Sequence, residues 1–117
     1  MARRREVVTA FLAASRGGDF DALLALLDPD VVLRPDRVGA GALGLVRGAT
    51  AVAGTFSGRA QAAQPALING AAGAVWAPGG QPRVVFSFTI THGKITAIDM
   101  LSDPEHLSRL DLAILGG

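Results

Sequence analysis

The sequence predicts an α+β fold, with helices packed on one face of a curved sheet. Three observations predict it. Apolar residues recur at helical spacing through the first segment of the chain. The second half holds four alternating runs, "QPALING", "AGAVWAP", "PRVVFSFTITH" and "KITAIDML". Asn-Gly, Pro-Gly-Gly and His-Gly turns separate them, so they form antiparallel meanders.

Each element follows in order. Val7, Val8, Phe11 and Leu12 mark an amphipathic helix over residues 4–16, and Gly17-Gly18 breaks it. Asp19 caps a second helix with apolar positions Phe20, Leu23, Leu24 and Leu27. Asp28-Pro29 stops that helix, and "DVVLRPD" is a short strand ending at Pro35. Residues 37–48 form a Gly-rich connection. "GATAVAGTFSGRAQA" is helical in part, weakened by Gly54 and Gly58. After the four strands, Asp103-Pro104-Glu105 opens a last helix carrying Leu107, Leu110 and Leu112, with Pro at its first position.

The 117 residues make one domain, 1–117, and half of them are hydrophobic. The net charge is +1, and no basic run is long enough for a nucleic-acid surface. Arg3-Arg4-Arg5 reads as a solvated helix end or a linker remnant. The absence of cysteine removes disulfides and thiolate metal sites. No stretch reads as a signal peptide or a membrane span, so the expected location is the cytoplasm.

Charge placement says more than charge total. No acidic residue occurs between Asp36 and Asp99, a stretch that carries Arg37, Arg47, Arg59, Arg83 and Lys94. Asp99 is the single carboxylate in the four runs read as the meander. If His92-Gly93 is a two-residue turn, Ile90 faces Ile95, Phe88 faces Ala97 and Phe86 faces Asp99. Asp99 then shares the more apolar face with Phe86 and Phe88. A carboxylate there must be hydrogen-bonded, paired or protonated, and Arg34 on the first strand is the partner at hand. The competing reading is a register shifted by one residue, which puts Asp99 in solvent.

Other motifs carry less. "GAGALG", residues 39–44, spells a dinucleotide fingerprint, but no clear helix follows and no acid stands at the ribose position, so it reads as a loop. His92 is a turn residue and His106 a surface one. Neither has the spacing of a metal ligand, and Ser57, Ser87 and Ser102 have no adjacent His. No cofactor is expected. Trp76, the lone Trp, reads as core or as a pocket wall, and the absence of Tyr removes a phenolic oxyanion donor.

"VVTAFLAASRGGDFDALLALLDPDVVLRPD" resembles the opening of SnoaL-like domains of the nuclear-transport-factor-2-like superfamily. "VRGATAVAG" and "PALINGAAG" through "HGKITAIDMLSDPEHLSRL" are similar to the C-terminal domain of extracytoplasmic-function (ECF) sigma factors. The polymerase- and promoter-binding sigma regions are absent, so the chain is an excised domain or a stand-alone relative. The Gly-Gly-Gly motif of one such sigma group is replaced by "RPDRVGAGALG". The resemblance implies a conical half-barrel, a curved mixed β-sheet wrapped around N-terminal helices with a pocket at the open end. Two functions follow from it. One is a non-catalytic regulatory or small-ligand-binding domain of an ECF sigma factor. Its partners would be sigma-factor core regions or RNA polymerase, with a small apolar ligand or a second copy of the chain left open. The other is a small cyclase, isomerase or epoxide hydrolase with Asp99 as general acid/base. The expected ligand pocket is Arg34, Trp76, Phe86, Phe88 and Asp99, and the regulatory reading is preferred because the catalytic set is incomplete.

Overall fold

The structure, a computed structural model, describes residues 2–36, 45–58 and 63–114. "GAGALG", Arg37 and Arg59 lie outside the described residues. Helices α1 (Ala2–Gly17) and α2 (Phe20–Leu26) lead into strand β1 (Leu27–Pro35). A two-residue strand β2 (Val46–Arg47) precedes helix α3 (Ala49–Phe56). Strands β3 (Gln64–Ile68), β4 (Ala71–Trp76), β5 (Val84–Thr91) and β6 (Lys94–Leu101) follow. Helix α4 (Pro104–Ser108) and strand β7 (Leu112–Ile114) come last. The strands form one curved mixed sheet in the order β2-β1-β6-β5-β4-β3-β7. The β1–β6 pair is parallel and the others are antiparallel.

The N-terminal helices are set by their ends. Gly18, at φ +67°, closes α1 in a Schellman motif, with Asp19 N–H bonded to the Ala14 carbonyl and Gly18 N–H to that of Ser15. The Asp19 carboxylate then accepts from Ala22 N at 3.1 Å and starts α2. Lys94 Nζ donates to the Ala25 carbonyl, joining the α2 C-terminus to the β5–β6 turn.

The core lies between the helices and one sheet face. Phe11 of α1 meets Phe56 of α3 and Phe88 of β5 edge-on, at 5.0 and 5.4 Å, and Phe56 meets Phe86 at 5.7 Å. Leu23, Leu33, Val52, Ile95 and Ile98 close around this chain of rings, and Phe20 packs at its margin. All five phenylalanines therefore serve one core. A smaller cluster of Ala66, Ile68, Val75 and Val85 sits apart from it, covered by Leu107, Leu110 and Leu112.

Three expectations are corrected. First, Leu27, expected on the second helix, opens β1, so the strand starts three residues before "DVVLRPD" and passes through Asp28-Pro29. The ladder with β6 is irregular between Leu27 and Val32, so Pro29 falls where no pairing hydrogen bond is required of it. Second, the last helix ends at Ser108, and Leu112 lies on β7. Asn69 N–H donates to the Asp111 carbonyl at 2.8 Å, and Asn69 Oδ1 accepts from Asp111 N at 2.9 Å, which brings the tail to the free edge of β3.

Third, the β5–β6 register shifts. Thr91 faces Lys94 and Ile90 faces Ile95, across a turn with His92 at φ +53° and Gly93 at φ +77°. Thr89 then faces Ala97, leaving Thr96 as an extra residue, with its hydroxyl bonded to the Thr89 carbonyl. Beyond this bulge Ser87 faces Asp99, and Phe86 faces Met100. Asp99 therefore lies on the sheet face opposite Phe86 and Phe88, not beside them in the core.

Two glycines give opposite tests. A Cβ on Gly73 would stand 2.7 Å from the Phe86 carbonyl oxygen and against the Ile68 side chain, while one on exposed Gly54 meets open space within α3. Gly73→Ala should lower stability by about 1–3 kcal/mol. Gly54→Ala should raise it by about 0.4–1 kcal/mol. Urea unfolding midpoints check both.

Candidate functional site

The parallel β1–β6 pair brings two opposite charges together. Register places Arg34 beside Asp99, and Pro35 beside Met100. Arg34 Nε donates to Asp99 Oδ1 at 2.9 Å and Nη2 to Oδ2 at 3.0 Å, a bidentate fork. The side chains remain 50% and 33% exposed, so water screens the pair. The hydrogen bonds and charge of Asp99 raise the pKa of Arg34 above its ordinary value, keeping the guanidinium charged.

One residue after Pro35 the chain reaches Asp36, whose side chain is only 7% exposed. Its Oδ1 accepts from Ser102 N at 2.9 Å and from the Ser102 hydroxyl at 3.3 Å. Its Oδ2 accepts from Asp103 N at 3.1 Å and lies 2.8 Å from His106 Nδ1. Burial pushes this carboxyl up. The backbone donors of Ser102 and Asp103, the His106 ring and the Ser102 hydroxyl together outweigh it and hold the pKa below the usual carboxylate range. Asp103 in turn caps α4 by accepting from Glu105 N. With its lone pairs engaged, Asp36 works as a latch that fixes α4 to the end of β1.

A cleft of about 700 Å³ opens at the same end of the sheet. Trp76 and Val84, paired across β4 and β5, line it, as do Gln81 and Arg83 from the connecting turn and Ser102 and Leu107 from the α4 side.

The five residues expected to form a pocket do not meet in one place. Phe86 and Phe88 are in the aromatic core, Arg34 and Asp99 are paired on the opposite face, and Trp76, 41% exposed, is on the cleft. The bulge at Thr96 is the reason for the first separation. Asp36, Arg83 and the cleft-facing side of α4 escaped the sequence reading. The abrupt end of the acidic residues at Asp36 was a signal for the first, but its contact with His106 exists only once β1 and β6 pair.

Two outcomes follow. The wild type should exceed Asp36→Asn in stability by an amount that is full above the unfolded carboxyl pKa, near 3.9, and shrinks as pH falls through the lower folded value. Chemical denaturation at a series of acid pH values reads this. By contrast, a double-mutant cycle of Arg34→Ala and Asp99→Ala should give a coupling of only about 0.2–1 kcal/mol.

No family model matches the chain, and no curated relative matches it. Among solved structures, the chain is similar to the extracytoplasmic function sigma factor SigJ of Mycobacterium tuberculosis, with 28% identity and a TM-score of 0.73. The match covers 92% of this chain and 45% of that one, so the chain spans less than half the length of the sigma factor. An NTF-2 like protein of unknown function from Burkholderia xenovorans LB400 is 22% identical at a TM-score of 0.62, covering 88% of this chain and 85% of that one. A candidate polyketide cyclase from Sinorhizobium meliloti is 23% identical at a TM-score of 0.55, covering 81% and 93%. The chain has the SnoaL-like, nuclear-transport-factor-2-like fold, and a sigma factor is among the proteins that share it.

Proposed function

We infer that the chain acts as a non-catalytic regulatory domain of the ECF sigma-factor kind, modulating transcription initiation through contacts with sigma regions or RNA polymerase in the cytoplasm. The orientation of Asp99 carries this reading. The candidate acid–base group is held in a fork with Arg34 on the face away from the phenylalanine core, and an acid or base must reach the proton it transfers. Similarity to SigJ over most of the chain supports the regulatory side. A domain of this kind works through surface complementarity, and the α4 end, fixed by Asp36, offers a defined surface for it.

The test is transcription by sigma regions of the ECF kind joined to residues 1–117, against the same regions without them, at matched expression. Promoter output should change several-fold on removal. Surface substitution at exposed Arg109 should alter output with little loss of stability, whereas Phe88→Ala should act by unfolding, at about 3–5 kcal/mol. Equal output with and without the domain, together with turnover of a polyketide or epoxide substrate that is lost in Asp99→Asn, would replace this reading with an enzymatic one.

A further inference from the structure

We propose that the cleft between the β4–β5 connection and α4 binds a small organic carboxylate with a flat apolar body. The body lies against Trp76 and the carboxylate pairs with Arg83. This goes beyond the regulatory reading and does not depend on it.

Four observations combine. The volume, about 700 Å³, falls in the range of small-molecule sites. Trp76 is 41% exposed, although it follows buried Ala74 and Val75 in its strand, so a large flat surface is left facing the cleft. Arg83 is exposed and makes no ion pair with any described residue, and its backbone N–H is bonded to the Trp76 carbonyl at 2.9 Å, which fixes the two residues in the same turn. Among the described residues the cleft lining contains no carboxylate; Gln81, Ser102 and Ser108 add neutral polar groups, while Val84 and Leu107 add apolar wall.

These features select a ligand class. A guanidinium recognises a carboxylate through a planar fork, and that of Arg83 has no ion-pair partner to displace among the described residues. An indole face favours an aromatic or polycyclic body over a flexible polar one. A cation would be repelled by Arg83, and a ligand without a negative group would leave its charge unpaired. The site is also separate from the interior of the domain. Among the described residues, none of its lining comes from α1, α2 or α3, whose apolar side chains pack with the phenylalanine rings instead.

The chain supplies its own probe, because Trp76 is its single tryptophan. The indole N–H therefore gives one cross-peak in an amide correlation spectrum. Titration with 2-naphthoate should shift this peak saturably, and 2-naphthamide, equal in shape but uncharged, should bind about tenfold more weakly. Arg83→Gln should remove that difference by weakening naphthoate alone. Its side chain is exposed and unpaired among the described residues, so the backbone spectrum should otherwise be unchanged. Calorimetry with Trp76→Ala should show loss of naphthoate binding. No saturable shift up to about 5 mM naphthoate would overturn the proposal, since binding weaker than this is indistinguishable from loose surface association. Equal affinity in the wild type and Arg83→Gln would also overturn it. So would selective binding of a peptide ending in an aromatic carboxylate with none of naphthoate, which would make the cleft a protein-docking site.

Discussion

Thr96 occupies β6 with no residue opposite it on β5, and the use of both sheet faces depends on that surplus. Before it, Ile95 points into the helix-covered core. After it, Ile98 and Met100 do so, while Ala97, Asp99 and Leu101 turn outward. Without the bulge, strict alternation from Ile95 would send Ala97, Asp99 and Leu101 inward, placing a carboxylate among phenylalanine rings. The backbone accepts one local irregularity, secured by the Thr96 hydroxyl on the Thr89 carbonyl, and avoids desolvating a charge. The outward Leu101 then becomes part of the second, smaller core under α4 and β7.

Much of the architecture was legible. Helical spacing in α1 and α2, the Asp19 cap and the Asn-Gly and His-Gly turns each have a local physical cause, and each is found near where the residues imply. The failures were non-local. Leu27 continues the apolar spacing of α2, yet it opens β1, and Pro29 is accommodated where the neighbouring ladder is irregular. Leu112 continues a leucine spacing that suits a helix, yet the vacant edge of β3 and the side chain of Asn69 draw it into a strand. The bulge left no mark in the alternation pattern, because Thr and Ala are tolerated on either face.

The site was legible by residue type more than by position. Arg34 and Asp99 do meet, but as a partly hydrated pair. The more deeply buried carboxylate, Asp36, sits beside groups far along the chain, with His106 70 positions away. Trp76 stands out as the lone Trp, and Arg83, which lines the same cleft, belongs to the acid-free stretch that follows Asp36. That stretch explains why Arg83 has no local carboxylate to neutralise it.

Parallel pairing of β1 with β6 also sets an order of events during synthesis. Arg34 leaves the ribosome 65 residues before Asp99. At about 5–20 residues per second, β1 waits roughly 3–13 s for the central strand on which it will lie. During that interval α1 and α2 hold apolar faces with no completed sheet to cover them, and the Asp36 carboxylate has none of its donors. The domain therefore closes late, when its final third arrives.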